Sequence, residues 1–506
     1  MFIRDLLRFE VGADEPARRP VLPRPPNRWP LDHALVSLSP SDALTIGDCV
    51  CGVQVFGASG SGKTSGSVAL LARAMLVDGW GLLVLTTKPG EADQWQAWAE
   101  RAGRGSDVVR ITPGGPHCFN FLDYLDRHPD RGAAVASNIA DVMMTLASHA
   151  KPKKSGNETS EFFTESASHL VTQAIHLLRA AGAPLTLSAI NDTIGSAPLT
   201  IEEVSTPLFE SGYLAGLLRS AEERALASPD PDRAMRAVRL HELCDYWLRR
   251  FPTMSDRTRG DVIATLSSVI FRFTEPPFDQ LIASEDASTF IPEMIDLGRV
   301  MILDCPVVTY QLAGRLFQIA VKHLTQQMVL RRRCADSTRP VAIFADEAQN
   351  FATHADYRYQ AICRDFRGCT VYATQTIDNY QEAVGSEHAV EALLASLVTK
   401  VFHANAGRTN EWAEKLIAQD WGRTGSDSFN HRGGGGGGAG GNQNGPSFGS
   451  TESDHLHPQV LAAEFTRLRT GGSRNHGQVE AIVFQPGRRF TQTRKPILSV
   501  TFAQGM

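Results

Sequence analysis

The sequence predicts an α/β protein: a mostly parallel sheet flanked by helices and interrupted by an all-α segment. Three observations predict it. Short apolar runs alternate with helical periods from about residue 31 to 130 and again from 289 to 506, the pattern of parallel strands joined by crossover helices. Between residues 131 and 288 helical periodicity dominates and no strong strand signal stands. The first apolar run also leads through a glycine-rich turn into a helix, a strand–loop–helix unit. A chain of 506 residues is too long for one ordinary core, so an inserted helical domain at 131–288 fits its length.

The elements follow in order. Residues 1–30, rich in Pro and Arg from Ala13 onward, read as an extended arm. Val53–Phe56 is the first buried strand and Val68–Val77 the helix after it. Leu82–Thr86, the helix Trp95–Ala102 and the strand Asp107–Thr112 complete the first part. Helices are expected at Ala133–Ala147, Glu161–Ala181, Leu214–Ala227 and Asp232–Arg249. Strand signals resume at Arg299–Asp304, Val341–Ala345, Cys369–Ala373 and Lys400–Ala404. The last pair, Val479–Phe484 and Ile497–Phe502, is expected as an antiparallel edge. His431–Pro446 is almost pure glycine and reads as a flexible loop, with only Arg432 to suggest a nucleic-acid contact. Lys151, Lys153 and Lys154 form either a solvated loop or a DNA contact.

Composition narrows the class. With 42% hydrophobic and 21% charged residues the chain is globular, and disorder is not its default. A net charge of -5 leaves any nucleic-acid contact to local basic patches. No apolar run approaches the roughly 20 residues that span a bilayer, and the N-terminus lacks the apolar core of a signal peptide. The eight cysteines form no C-x-x-C pair, and Cys49 and Cys51 have no matching pair that would suggest zinc. A reducing cytoplasm fits this usage.

Two motifs carry chemistry. Gly57-Ala58-Ser59-Gly60-Ser61-Gly62-Lys63-Thr64 is a complete phosphate-binding loop between a strand and a helix. Its glycines let backbone N–H groups wrap phosphates, Lys63 reaches the β- and γ-phosphates, and Thr64 joins a Mg²⁺ shell, so ATP and Mg²⁺ are the expected cofactors. The second motif is the apolar strand that ends in Asp346 and Glu347. Asp346 can hold Mg²⁺, and Glu347 can orient or deprotonate the attacking water. Downstream, Gln375 ends another strand, where it can sit beside the phosphate loop and report on the γ-phosphate or position the water. Arg364 and Arg367 close the preceding helix. Each is either a partner for the helix dipole or an arginine finger that enters a neighbouring subunit's site, with Arg364 the better candidate.

With these motifs in this order, the chain resembles the type IV secretion coupling proteins of the TraG/TraD class, relatives of the FtsK/HerA ring translocases. The resemblance covers about Leu31 to Phe502. It includes Thr87–Glu91 (Thr-Lys-Pro-Gly-Glu), Glu161–Leu170, Arg257–Leu266, Phe344–Phe351 and Tyr372–Asp378. It implies a RecA-like P-loop NTPase with an inserted helical domain that helps recruit substrate. It also implies a homo-hexamer that drives DNA, single-stranded and taken without regard to sequence, or a relaxase–DNA complex toward a membrane pore. On that resemblance Lys63, Thr64, Asp346 and Glu347 form the ATPase site, Gln375 is the sensor and Arg364 the trans finger. Typical members carry N-terminal membrane helices and this sequence shows none. The resemblance therefore implies a cytoplasmic protein that a partner recruits to the inner face of the membrane. Lys88-Pro-Gly-Glu also departs from the family's Lys-Gly-Glu by one proline. Two other readings fit the same residues: a cytosolic ring motor in DNA processing or defence, and a nucleotide-gated adaptor for secretion substrates.

Overall fold

The computed structural model describes residues 28–128, 132–150, 158–229, 232–282, 288–417, 419–430 and 447–504. Most of the arm, the loop with Lys151, Lys153 and Lys154, and the glycine-rich segment at 431–446 lie outside these described residues.

The strands are β1 (Ala34–Ser37), β2 (Ala43–Thr45), β3 (Val53–Phe56), β4 (Gly81–Leu85), β5 (Val108–Ile111), β6 (Val300–Leu303), β7 (Val341–Asp346), β8 (Gly368–Thr374), β9 (Thr399–Phe402), β10 (Gln419–Asn430), β11 (Ser447–Pro458), β12 (Gln478–Phe484) and β13 (Ile497–Ala503). Nine of them form one sheet in the order β13-β12-β9-β3-β8-β7-β4-β6-β5. From β9 to β5 every pairing is parallel. β12 joins β9 antiparallel, and β13 joins β12 antiparallel as the edge. β1 with β2, and β10 with β11, form separate antiparallel pairs.

The central strands are mostly apolar because helices cover both faces of the sheet. Side chains alternate between two cores. Leu82, Val84, Ala342 and Phe344 face the helix Ala69–Val77 and the indoles of Trp95 and Trp98 in the helix Glu91–Arg101. Leu83, Leu85, Ile343 and Ala345 face the other way, toward Leu316, Ile319 and Leu324 of the long helix Val307–Arg331. Gly81 opens β4 where no larger residue fits, since a Cβ there would lie 1.8 Å from the Ile295 carbonyl oxygen.

Between β5 and β6 none of the described residues is in a strand. Helices run over Ala136–Ala150, Glu158–Ala181, Leu187–Gly195, Tyr213–Leu226, Asp232–Asp245 and Asp256–Thr274. Their apolar stripes, such as Ile139, Val142, Met143 and Leu146, share one continuous core with the sheet's second face. The sequence reading does not name the helices Leu187–Gly195 and Asp256–Thr274. Each starts at a side-chain cap, with Thr186 accepting from Ala189 N and Ser255 from Thr258 N. Among the described residues no helix is long and apolar enough to cross a membrane.

Candidate active site

The phosphate-binding loop leaves the carboxyl end of β3 at the middle of the sheet. Gly60 and Gly62 take φ of 73° and 85°, the left-handed region that favours glycine. Gly57 is needed for space, because a Cβ there would sit 2.4 Å from Ser61 Oγ. The loop is tied to its neighbours by Gly57 N donating to the Thr374 carbonyl (3.2 Å) and Ala58 N to the Ala404 carbonyl (3.0 Å). Thr64–Val68 then forms one wide π-turn, with Val68 N donating to the Lys63 carbonyl at 3.1 Å, before the α-helix Ala69–Val77 begins. The loop borders a cavity of about 280 Å³ that Lys88, Glu347 and Gln504 also line. Ser61 Oγ is buried beside it and has no hydrogen-bond partner among the described residues. A second, more apolar cavity of about 400 Å³ opens beside Thr64 and Asp346, walled by Trp95, Trp98 and Phe344.

Across the loop lies the end of β7. Thr64 Oγ1 donates to Asp346 Oδ2, and Asp346 Oδ1 accepts from Glu347 N at 3.0 Å. Glu347 stands at φ 55°, ψ 50°, an uncommon conformation for a residue with a side chain. Its carboxylate is buried and converged upon. Oε1 lies 3.3 Å from Lys63 Nζ and 3.5 Å from Lys88 Nζ, and it accepts from Gln375 Nε2 at 3.1 Å. Oε2 accepts from Gln349 Nε2 at 3.1 Å. Lys63, itself buried, also stands 3.9 Å from Asp346. Burial alone raises the Glu347 carboxyl. The Gln349 bond, Lys63, Gln375 and Lys88 outweigh it and hold the group below its ordinary value, so it is ionised at neutral pH.

The structure thus brings Lys63, Thr64, Asp346, Glu347 and Gln375 together. It adds two residues to which the sequence reading gave no role at this site. Lys88 belongs to the Thr87–Glu91 stretch, and Gln349 follows Glu347 by two. Gln349 is itself fixed by Thr374 Oγ1, which donates to its Oε1 at 2.7 Å. Arg364 is not part of this cluster. It is exposed just after the helix His354–Ile362, and its charge lowers the Cys51 thiol against the upward pull of burial. Cys51 precedes β3, so Arg364 sits by the amino end of the sheet, about 13 Å of strand away from the loop. Arg367 is buried and spent on the Trp29 carbonyl and on Asp336 (3.1 Å), which makes it structural.

The loop's floor comes from the far end of the chain. His403 is fully buried, with Nε2 2.7 Å from Ser67 Oγ and Nδ1 3.1 Å from the Glu480 carbonyl oxygen. Only a protonated Nδ1 can donate to a carbonyl, so Nε2 accepts from Ser67. Val479 packs against Gly62, and Gln504 Nε2 donates to Ser65 Oγ at 2.7 Å. Burial pushes His403 down to about 4; the Glu480 carbonyl opposes this and Lys63 adds to it. The folded value lies below the ordinary 6.5, so the unfolded chain binds the extra proton. Stability is complete above that value and is lost as pH falls from 6.5 toward about 4, at about 1.4 kcal/mol per pH unit. Urea midpoints of the wild type should therefore fall between pH 6.5 and 5, and those of His403→Gln should fall less steeply. Equal slopes would disprove this assignment.

Residues 36–425 match the family of the type IV secretory system conjugative DNA transfer proteins. Among solved structures, the trigonal form of the bacterial conjugative coupling protein TrwBdeltaN70 with sulphate aligns at a TM-score of 0.50 and 13% identity, covering 94% of this chain and 91% of that one. TrwB with a non-hydrolysable ATP analogue aligns at 0.49 and 13%, covering 92% and 89%. VirB4 of Thermoanaerobacter pseudethanolicus aligns at 0.42 and 14%, covering 76% and 87%. Comparison with curated proteins gives no match. The mostly parallel sheet, its flanking helices and the loop at its centre are those of the TrwB-type P-loop NTPase fold. The family match spans well over half of the 506 residues, and the chain belongs to the type IV secretion coupling proteins of conjugative DNA transfer.

Proposed function

We propose that the chain is an ATP-hydrolysing DNA translocase that draws single-stranded DNA, or a relaxase–DNA substrate, toward a membrane pore. The observation that carries this reading is the Lys63–Glu347 contact, made across 284 residues of sequence and completed by Lys88, Gln349 and Gln375. A carboxylate kept ionised among amide and ammonium donors suits a group that takes a proton from water.

The residues present fit ATP and Mg²⁺. The loop N–H groups, the unpartnered Ser61 hydroxyl and Lys63 would bind phosphate oxygens. Thr64 and Asp346 would hold Mg²⁺, which spreads the charge of the transferring phosphoryl group. As Lys63 turns to phosphate it would release Glu347 to orient a water molecule, with Gln375 reporting on the γ-phosphate position.

Arg364 serves a neighbouring copy in this proposal. Its place by the sheet's amino end keeps it from its own Lys63, and a head-to-tail ring of six copies presents that end to the next subunit's site. Scattered basic residues along the channel would grip the DNA backbone without reading sequence. An anchor or pore protein would recruit the ring to the inner face of the membrane.

The test is ATP turnover with and without single- or double-stranded DNA, read beside particle mass by light scattering. DNA-stimulated turnover by ring-sized particles is expected, and turnover indifferent to DNA would favour a substrate adaptor. Arg364→Ala should lower turnover by roughly 10³ or more. Mixing it with Glu347→Gln subunits should restore a fraction, because some interfaces regain both groups. If Arg364→Ala turns over at the wild-type rate, the trans assignment fails.

A further inference from the structure

The helix Glu158–Ala181 carries His169, Gln173, His176 and Arg179 at spacings of three and four, which places them on one face. Across a groove stand Arg236 and Arg239 of the helix Asp232–Asp245 and Arg224 of the helix Tyr213–Leu226. The groove holds two adjoining cavities of about 580 and 250 Å³, and His176 and Arg239 line both.

Its charge is not balanced. Arg179 is committed to Asp126 at 2.5 Å and Arg250 to Asp245 at 2.7 Å. The guanidinium groups of Arg224, Arg236 and Arg239 have no hydrogen bond or ion pair among the described residues, and Glu242 is the one remaining carboxylate on these walls. Burial first, then Arg239 and Arg179, hold His176 below its ordinary value against the pull of Glu242, so the guanidinium field falls on the groove itself.

An independent sign comes from the floor. Tyr246 is 6% exposed and meets the His169 ring edge-on at 5.1 Å, yet its hydroxyl has no hydrogen-bond partner among the described residues. A buried hydroxyl left unpaired is unfavourable unless something else completes it. Burial pushes this phenol up to about 12, so at neutral pH it is a donor.

We propose that the groove binds a compact anion with at least two phosphate groups, of the size of a nucleoside polyphosphate. Three free guanidiniums offer about five N–H donors each, while one carboxylate has only about four lone-pair sites. Phosphate oxygens match the arginine fork and supply enough acceptors. The main cavity falls within the roughly 300–1,000 Å³ of small-molecule sites. Tyr246 lines this cavity, and its buried hydroxyl would meet the end of a small ligand that enters it, not a polymer lying across the rim. The groove shares no residue with the phosphate loop, so this proposal stands apart from the ATPase reading.

The experiment uses the full chain with Lys63→Ala, which silences the phosphate loop, and titrates inorganic pyrophosphate by calorimetry. Saturable binding is expected, weakened roughly tenfold or more by Arg239→Ala, an exposed position outside the packed core, and roughly two- to tenfold by Tyr246→Phe. Tyr246→Phe should keep or raise the melting temperature, because the hydroxyl it removes has no partner, while a structural tyrosine would lower it. No saturable heat, or binding indifferent to Arg239→Ala, would overturn the proposal. Oligothymidylate binding that depends on Arg239 and resists pyrophosphate competition would also overturn it, in favour of a strand-binding groove.

Discussion

Glu347→Gln should bind ATP and turn it over slower by roughly 10²–10⁴, the range contributed by a positioned general base. Glutamine keeps the size of the side chain and an oxygen that can accept from Lys63, Lys88 and Gln375. It removes the charge and the ability to take a proton. Thr64 and Asp346 are untouched, so Mg²⁺-dependent nucleotide affinity should persist. Equilibrium binding of a fluorescent ATP analogue together with single-turnover hydrolysis separates the two effects. Wild-type turnover in this variant would remove Glu347 from the mechanism, and lost binding would make it a structural partner of Lys63 instead.

The largest effect on stability is expected at Lys322. This lysine is fully buried in the long helix Val307–Arg331, with Nζ 2.6 Å from both carboxylate oxygens of Asp356 and 2.7 Å from the Phe351 carbonyl oxygen. Asp356 also accepts from Gln326 Nε2 (2.7 Å) and caps its own helix through Thr353 N (2.8 Å). Lys322→Met keeps the volume but strands a buried carboxylate, at a cost of about 3–5 kcal/mol. The double variant Lys322→Met, Asp356→Asn should recover a large part, because the unpaired charge is gone and the cap remains. Urea midpoints decide it. A single-variant loss below about 1 kcal/mol would mean that the pair is weakly coupled. Because Phe351 follows Glu347 by four residues, the same substitution should loosen the turn that sets the Glu347 side chain.

The strands were legible because a parallel sheet covered on both faces leaves unbroken apolar runs, as in Leu82–Leu85 and Val341–Ala345. The loop at Gly57–Thr64 and the Asp346–Glu347 pair were legible because their chemistry is local in sequence. Lys88, His403 and Gln504 were not, since each matters through a residue far away in the chain, as Gln504 does through Ser65, and Gln349 was not because only the turn after Asp346 brings its amide back onto Glu347. A lone polar residue carries no sign of a partner 439 positions off. The sequence reading gave no role to the arginines of the helical groove, which only the structure sets opposite His176. The place of Arg364 needed the sheet order, which periodicity does not encode.

The phosphate loop stands at residues 57–64, but its surroundings are made later: Glu347, then His403 beneath it, Val479 against Gly62, and Gln504 on Ser65. On a ribosome the loop waits without its full floor until Gln504, 439 positions after Ser65, has been added. A nascent fragment that ends before β12 therefore lacks the surface that supports Gly62. The surface that supports the loop is complete only once these distant residues have been made and folded onto it.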